Sequence, residues 1–520
     1  HAPMSYGALV EFLVHDGKLN PDALEALVRL YHAPQPSRLK TEEQKAIREY
    51  CRKNLKPGYI GTLLESYREC SDAEKKNILE VLGWAAAEPA ISLFVSELQN
   101  DWLIEAAAKG LIYCDETALS AIVHRLEQSN SNKEIVTLLS VLWELSSVVD
   151  VKHIEKFLQC DVLEIRQAAH KLLARMPASG ALPFWIRSVS DGDPSVSESC
   201  REPLLSLCKR DANSRAQIQT ELREKAQSNN PMERANALEL LILMEGTGSL
   251  PLLFQAIKDA HAFVRQKAAR LMASGYHRDF PKYLTAALAD EDPQVRELSA
   301  RALASYRLPE VTEALLSLVK DDVIWVRIAA YESLAAQRED AVLPVFLKQL
   351  AQEEPMAQSS LLKCIGLFRG NASKGLILHY LQSDDAEIRK GACEALAGWK
   401  DRDIVFRLFA LFETDPDWRV RVTAIRILAD LKPFGLQDAL LQSLKTDNDR
   451  LVRQEILTAL RKLPLHSPPE EVYELLAEEE LSDDAFEFLH SCREQFGAIL
   501  LQHAGSQPPQ VRRLIKTATE

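Results

Sequence analysis

Apolar and polar positions along the chain keep a helical rhythm that restarts every 31 residues. Two consecutive segments show it: Asp292-Pro-Gln-Val-Arg-Glu-Leu-Ser-Ala-Arg-Ala-Leu303 and Asp322-Val-Ile-Trp-Val-Arg-Ile-Ala-Ala-Tyr-Glu-Ser-Leu334. Each carries an apolar residue followed by Arg, then Leu seven residues further on. That Arg recurs at Arg234, Arg265, Arg296 and Arg327 in steps of 31. The next step lands on Gln358 and the one after on Arg389, followed at 32-residue steps by Arg421 and Arg453. Backwards, Arg166 and Ser197 keep the period, and the 37-residue step from Ser197 to Arg234 carries an insertion containing the polar stretch 228–231.

Seven residues past each of these positions stands an apolar residue, among them Leu173, Met272, Leu334 and Leu460; three residues past it, a mostly small one, such as Ala268, Ser299 or Ala424. Offsets of three and seven share one face of an α-helix. Small residues there admit a neighbouring helix closely, and the larger ones fill the layer beneath. Asp193-Pro194, Asp292-Pro293 and Asp415-Pro416 read as an N-cap ahead of a Pro at the first helical position, and Asp161, Asp322 and Asp385 stand in similar places. A second amphipathic stretch precedes each start, for example 309–319 and 403–412. The predicted unit is two antiparallel helices that cannot bury their apolar faces alone and must stack on their neighbours.

The pattern Asp-x-x-Val-Arg-x-x-Ala-x-x-x-Leu at this period resembles HEAT repeats, in particular the short bacterial type also found in phycobilin lyases. The resemblance is strong over 156–465 and weaker over 61–155. In the weaker part, the segment 100–112 holds the register with Glu105 in place of Arg. It implies an all-α, right-handed α-solenoid, with atypical capping helices at 1–60 and 466–520. Helix starts are expected at Asn20-Pro21 and at Thr41, where Gln44 has capping-box spacing, with 34–40 linking the two; His466-Ser-Pro-Pro-Glu470 breaks the period.

Composition narrows the function classes. A net charge of −13 disfavours nucleic acid and anionic membrane surfaces as partners. The nine Cys are irregularly spaced without a Cys-x-x-Cys, as expected of buried thiols in a reducing compartment. No transmembrane span is expected, and 5–19, with Glu11 inside its apolar stretch and no basic start, does not read as a signal peptide. His1-Ala-Pro-Met4 reads as a cloning remnant before a native Met, and a cytoplasmic location is the expectation.

Chemistry-bearing motifs are missing from the sequence: there is no phosphate-binding P-loop, no GxGxxG, no HExxH and no GxSxG, and the twelve His form no i, i+3 or i+4 pair. Neither catalysis nor a cofactor or metal is expected. His170 and His261 read as repeat residues. Two rows stand out. The ladder Arg166, Arg234, Arg265, Arg296, Arg327, Arg389, Arg421 and Arg453 could grip an acidic ligand, or pair with Asp and Glu at neighbouring helix starts; the resemblance implies the second, scaffold role. Phe263 and Trp325 stand two residues before the Arg position, and Trp102 and Trp418 three before theirs. Placed in the first turn of the second helix, they are either partner-binding anchors or rings packed over the preceding repeat. Tyr331, four past its Arg, reads as core. Glu478-Glu-Glu480 with Asp483 and Asp484 reads as solvated surface.

The leading expectation is a non-enzymatic scaffold or adaptor that binds a protein partner along the solenoid surface. Alternatives are a regulatory region of a larger signalling or membrane-associated protein, chromophore handling of the phycobilin-lyase kind, and nucleic-acid binding as in HEAT-like DNA glycosylases.

Overall fold

The computed structural model describes residues 14–15, 18–19, 48–49, 51–53, 55–145, 149–465, 470–478 and 481–519. It divides into two compact units, His1–Ala256 and Ile257–Glu520.

In Ile257–Glu520 the helices alternate between two layers. Second helices Ala262–Ala273, Pro293–Leu303, Ile324–Gln337, Pro355–Gly366, Ala386–Ala395, Trp418–Leu431 and Arg450–Arg461 stack each on the next, and each from Pro293–Leu303 onward packs against its own first helix, such as Phe280–Ala287 or Arg402–Thr414. One unit shows why. Pro293 opens its helix with a preset φ and no N–H to satisfy, and the Asp292 carboxylate accepts the Val295 N–H at 3.0 Å. From there one face puts Val295, Ser299 and Leu303 wholly inside, and the helix packs against the first helix Phe280–Ala287. Each fully buried Leu or Val contributes about 1.5–3 kcal/mol, gained only when the next repeat covers it.

The small residues at offset three are buried at the helix–helix contacts: Ala268, Ser299, Ala330, Ala392 and Ala424. Pro355–Gly366 and Ala386–Ala395 approach each other closely. A Cβ on Gly391 would lie 2.5 Å from the Cα of Ser359, and one on Gly366 would lie 2.9 Å from the carbonyl carbon of Ala395.

In His1–Ala256 the helices Asp72–Trp84, Ile104–Cys114, Asn132–Leu145 and Leu163–Leu173 stack in the same way. The 37-residue step is built differently from the expected polar insertion. Its second helix continues after a break at Cys200 as Arg201–Arg210, and its first helix, Ala212–Lys225, has 14 residues where Phe280–Ala287 has 8. Helix therefore absorbs the extra residues, and 226–230 is only a short connection. Pro203 accounts for the break, since its ring nitrogen cannot donate to the Ser199 carbonyl.

Several expectations are corrected. Asp415 is not the cap of its helix: Trp418–Leu431 is capped by Asp417, which accepts the Arg419 N–H at 2.8 Å. At Asp161 and Asp322 the cap positions fall to Val162 and Val323, which have no side-chain acceptor. Within the stretch expected to be helical, Val14–His15 pairs antiparallel with Lys18–Leu19; the intervening sequence is Asp-Gly, a strong hairpin dipeptide. The starts at Asn20 and Thr41, the link 34–40 and the break at 466–469 lie outside the described residues. Pro231–Ala256 is long and apolar enough, by length and composition, to cross a membrane. It is interrupted by a 3-10 turn, Gly246–Ser249, with Gly246 at φ +56°, and it buries Ala237, Leu238 and Leu241 among its neighbours.

Candidate partner-binding surface

In Ile257–Glu520 each loop leading into a second helix carries at least one carboxylate. Arg296 is representative. Its Nε and Nη2 donate to Asp321 of the next loop at 2.8 and 2.9 Å, and its Nη1 donates to the carbonyls of Asp290 and Glu291 in its own loop at 2.9 and 3.3 Å. Arg265, Arg327, Arg389 and Arg421 repeat this with Asp290, Glu353, Asp415 and Asp447. Arg166 pairs with Asp191, and Arg453 pairs with Glu478. Arg234 donates to the carbonyls of Ser228 and Asn229. Such bidentate, charge-assisted bonds hold one loop against the next. Where Gln358 replaces Arg, its amide still donates to the Leu350 carbonyl at 2.8 Å, and the carboxylate position 25 residues on is Ser383.

The paired Asp also accepts the N–H two residues further on, as in Asp290 with Asp292, Asp415 with Asp417 and Asp447 with Asp449. That second Asp then caps the helix. The Gln after the ladder Arg ties in the same cap from the preceding repeat: Gln167 to Asp193 and Gln266 to Asp292. Sequence reasoning missed this Asp-x-Asp division of labour, although the spacing is visible in 290–292, 415–417 and 447–449.

These bonds act on the acids. Burial pushes the Asp321 carboxyl up, but the Arg296 hydrogen bond and the Val323 N–H outweigh it and hold it below its ordinary value. At Asp292, burial is likewise outweighed by Gln266 and the Val295 N–H. A carboxyl lowered in the folded state contributes stability that is complete above the unfolded-chain value near 4 and is lost as pH falls through the folded one. The melting temperature should therefore hold steady from pH 7 to about 5 and fall below about 4. A melting temperature unchanged down to pH 3 would contradict this account of the loops.

The three Trp of the aromatic row are exposed. Trp325 and Trp418 keep 51% and 38% of their surface accessible, and Phe263 is half-buried. Trp325, Trp418 and Phe263 lie in the first turn of a second helix. Trp102, 76% exposed, belongs to the other unit and sits in the turn before Ile104–Cys114 rather than in the helix, with its N–H on Asn100 Oδ1 at 3.1 Å. Counting two residues back from each ladder position also finds Met356 and Leu451, 60% and 45% exposed. A search for aromatic rings alone overlooks both. Tyr331 is fully buried, its hydroxyl donating to Glu353 at 2.6 Å.

The remaining reactive groups are occupied or quenched. His170 is buried with Nε2 on the Leu158 carbonyl at 3.1 Å, and burial lowers its pKa. His261 caps its helix through the Phe263 N–H. Burial pushes the Cys364 thiol up to about 12 and the Cys114 thiol up to about 11. A thiol reagent at neutral pH should therefore label the half-buried Cys70 and Cys160 well before the seven buried cysteines; equal rates would mean the helices open on the labelling timescale. Among the described residues, no three His, Cys, Asp or Glu side chains are arranged to hold a metal ion.

Two layers of paired helices, cross-linked loop to loop, define an α-solenoid. The family model for HEAT repeats matches residues 280–366 and 373–461, so this stretch of the chain is built of HEAT repeats. The structure is similar to yeast importin-beta (Kap95p), with TM-score 0.53 and 11% identity over 100% of this chain and 82% of that one. It is also similar to Kap121p, with TM-score 0.53 and 13% identity over 99% and 69%, and to Kap95p in a structure with RanGDP, with TM-score 0.53 and 11% identity over 99% and 83%. At such identities the likeness establishes the helical fold. No curated protein sequence matches significantly.

Proposed function

We propose that the chain is a non-enzymatic scaffold or adaptor that holds a protein partner against its second-helix surface. The observation that carries this reading is the exposure of Trp325, Met356 and Trp418 at first-turn positions, while the ladder between them engages acceptors of the chain itself. Large apolar side chains held at fixed intervals on a rigid framework are anchors of the kind that dominate protein interfaces. The karyopherin-type solenoids it resembles include Kap95p, solved in a study of its binding to RanGDP, which supports the reading by analogy of fold. The nine free cysteines support a reducing compartment.

The test is affinity capture with the intact 520-residue protein, read by mass spectrometry at low and moderate salt. One stoichiometric protein recovered at both salts is the expected result. Recovery of nucleic acid alone, of a small chromophore alone, or of nothing would overturn the reading.

A further inference from the structure

We infer that the partner segment held by the unit Ile257–Glu520 is an extended, basic stretch of polypeptide, docked along the first-turn row Phe263, Trp325 and Met356. This deepens the scaffold reading and rests on it.

Three observations carry it. The row recurs at one structural position: Phe263, Gln294, Trp325 and Met356 each stand two residues before a ladder position. Gln294 is exposed, as Trp325 and Met356 are, and offers an amide to a peptide backbone. Second helices in contact lie about 8–10 Å apart. A polyproline-type chain rises about 3.1 Å per residue with three residues per turn, so every third side chain returns to the same face after about 9 Å. An extended ligand can thus present one side chain to each repeat.

The charge beside the row is the third observation. The adjoining loops are Asp290-Glu-Asp292, Asp321-Asp322, Glu353-Glu354 and Asp384-Asp385. Arg296 pairs with Asp321 and leaves Asp322 exposed, and Asp384 and Asp385 are exposed in the loop that follows Gln358, where no ladder Arg stands. Glu354 is 64% exposed and shares the Arg327 guanidinium with Glu353. Lys320, and Lys348 in the last turn of the first helix before Glu353-Glu354, are exposed cations in this stretch, and Arg419, 44% exposed, ends the acidic run beyond Glu387. Between Asp290 and Glu387 the edge is therefore net negative beside exposed apolar anchors. A chain with Lys or Arg at every third position and apolar residues between them complements it, and acidic or neutral segments do not.

The experiment titrates the intact protein against a fluorescein-labelled synthetic peptide repeating Lys-Leu-Pro, read by anisotropy at low and moderate salt. A Glu-Leu-Pro peptide of equal length is the control. The expected result is saturable, salt-weakened binding of the basic peptide only, about tenfold or more weaker in Trp325→Ala with Met356→Ser. A second variant, Asp322→Asn with Glu354→Gln and Asp384→Asn, changes exposed side chains only and should weaken binding similarly. Phe406→Ala, at a 73%-exposed position on a first helix, should bind as the unchanged protein does. Failure of the basic peptide to saturate, equal binding of the acidic peptide, or unchanged binding in both surface variants overturns the inference. Repeating the affinity capture with the Trp325/Met356 variant separates the two readings: a partner still recovered rejects this surface and leaves the scaffold reading standing, whereas a partner absent even from the unchanged protein rejects the scaffold reading itself.

Discussion

Arg327→Ala should cost about 3–5 kcal/mol of stability, among the largest losses available to a single substitution in this chain. The guanidinium is 13% exposed and its partner Glu353 4%. Truncation leaves a buried carboxylate facing only the Tyr331 hydroxyl and removes the bonds to the carbonyls of Asp321 and Asp322. Because the bond joins one loop to the next, the loss falls on the interface between repeats, where a solenoid's cooperativity resides. Urea unfolding should show an earlier midpoint and a broader transition. Replacing both partners, Arg327→Met with Glu353→Leu, should recover a large part of the loss, since no charge is left buried. Trp325→Ala, two residues away, should cost about 1 kcal/mol or less because half of the ring is already in water. If Arg327→Ala melts like the unchanged protein, the ladder does not bind repeat to repeat.

Gly391→Leu should also lower stability strongly, by a different route. Ordinarily Gly inside a helix costs about 1 kcal/mol relative to Ala, so substitution would stabilise an isolated helix. Here the first added carbon would stand 2.5 Å from the Ser359 Cα and 2.7 Å from its carbonyl oxygen. Helices Pro355–Gly366 and Ala386–Ala395 must then separate, opening the layer that buries Leu361, Ala392 and Leu396. Overpacking of this kind costs about 1–3 kcal/mol or more. Even Gly391→Ala should lower the melting temperature. Gly375→Ala, where nothing lies within 4 Å of the added carbon, should leave it level or raise it. Equal effects at the two glycines would mean the helices do not touch as described.

The helical units were legible from residues 156 to 465 because their signals are local. Arg296 with Leu303, or Asp292 with Pro293, can be recognised within a dozen residues. The candidate surface was half legible. Trp325 and Trp418 announce themselves by residue type, while Met356 and Leu451 belong to the same exposed first turns only once the register is read through to the structure. Trp102 kept the sequence register and still fell outside its helix. The loop acids misled for a related reason: Asp415-Pro416 has the form of a cap, yet Asp415 faces Arg389 from the preceding repeat and leaves capping to Asp417.

The sequence by itself determined the helix period, the faces that must be buried, and so a stack of paired helices. These follow from backbone geometry and side-chain transfer energies acting within one or two turns. Tertiary structure alone decided which carboxylate of each Asp-x-Asp holds the neighbouring Arg and which first-turn side chains remain in water. Those outcomes depend on atoms contributed from 25 or 26 residues away, and a pairing energy appears only when the stacked repeat brings both partners together.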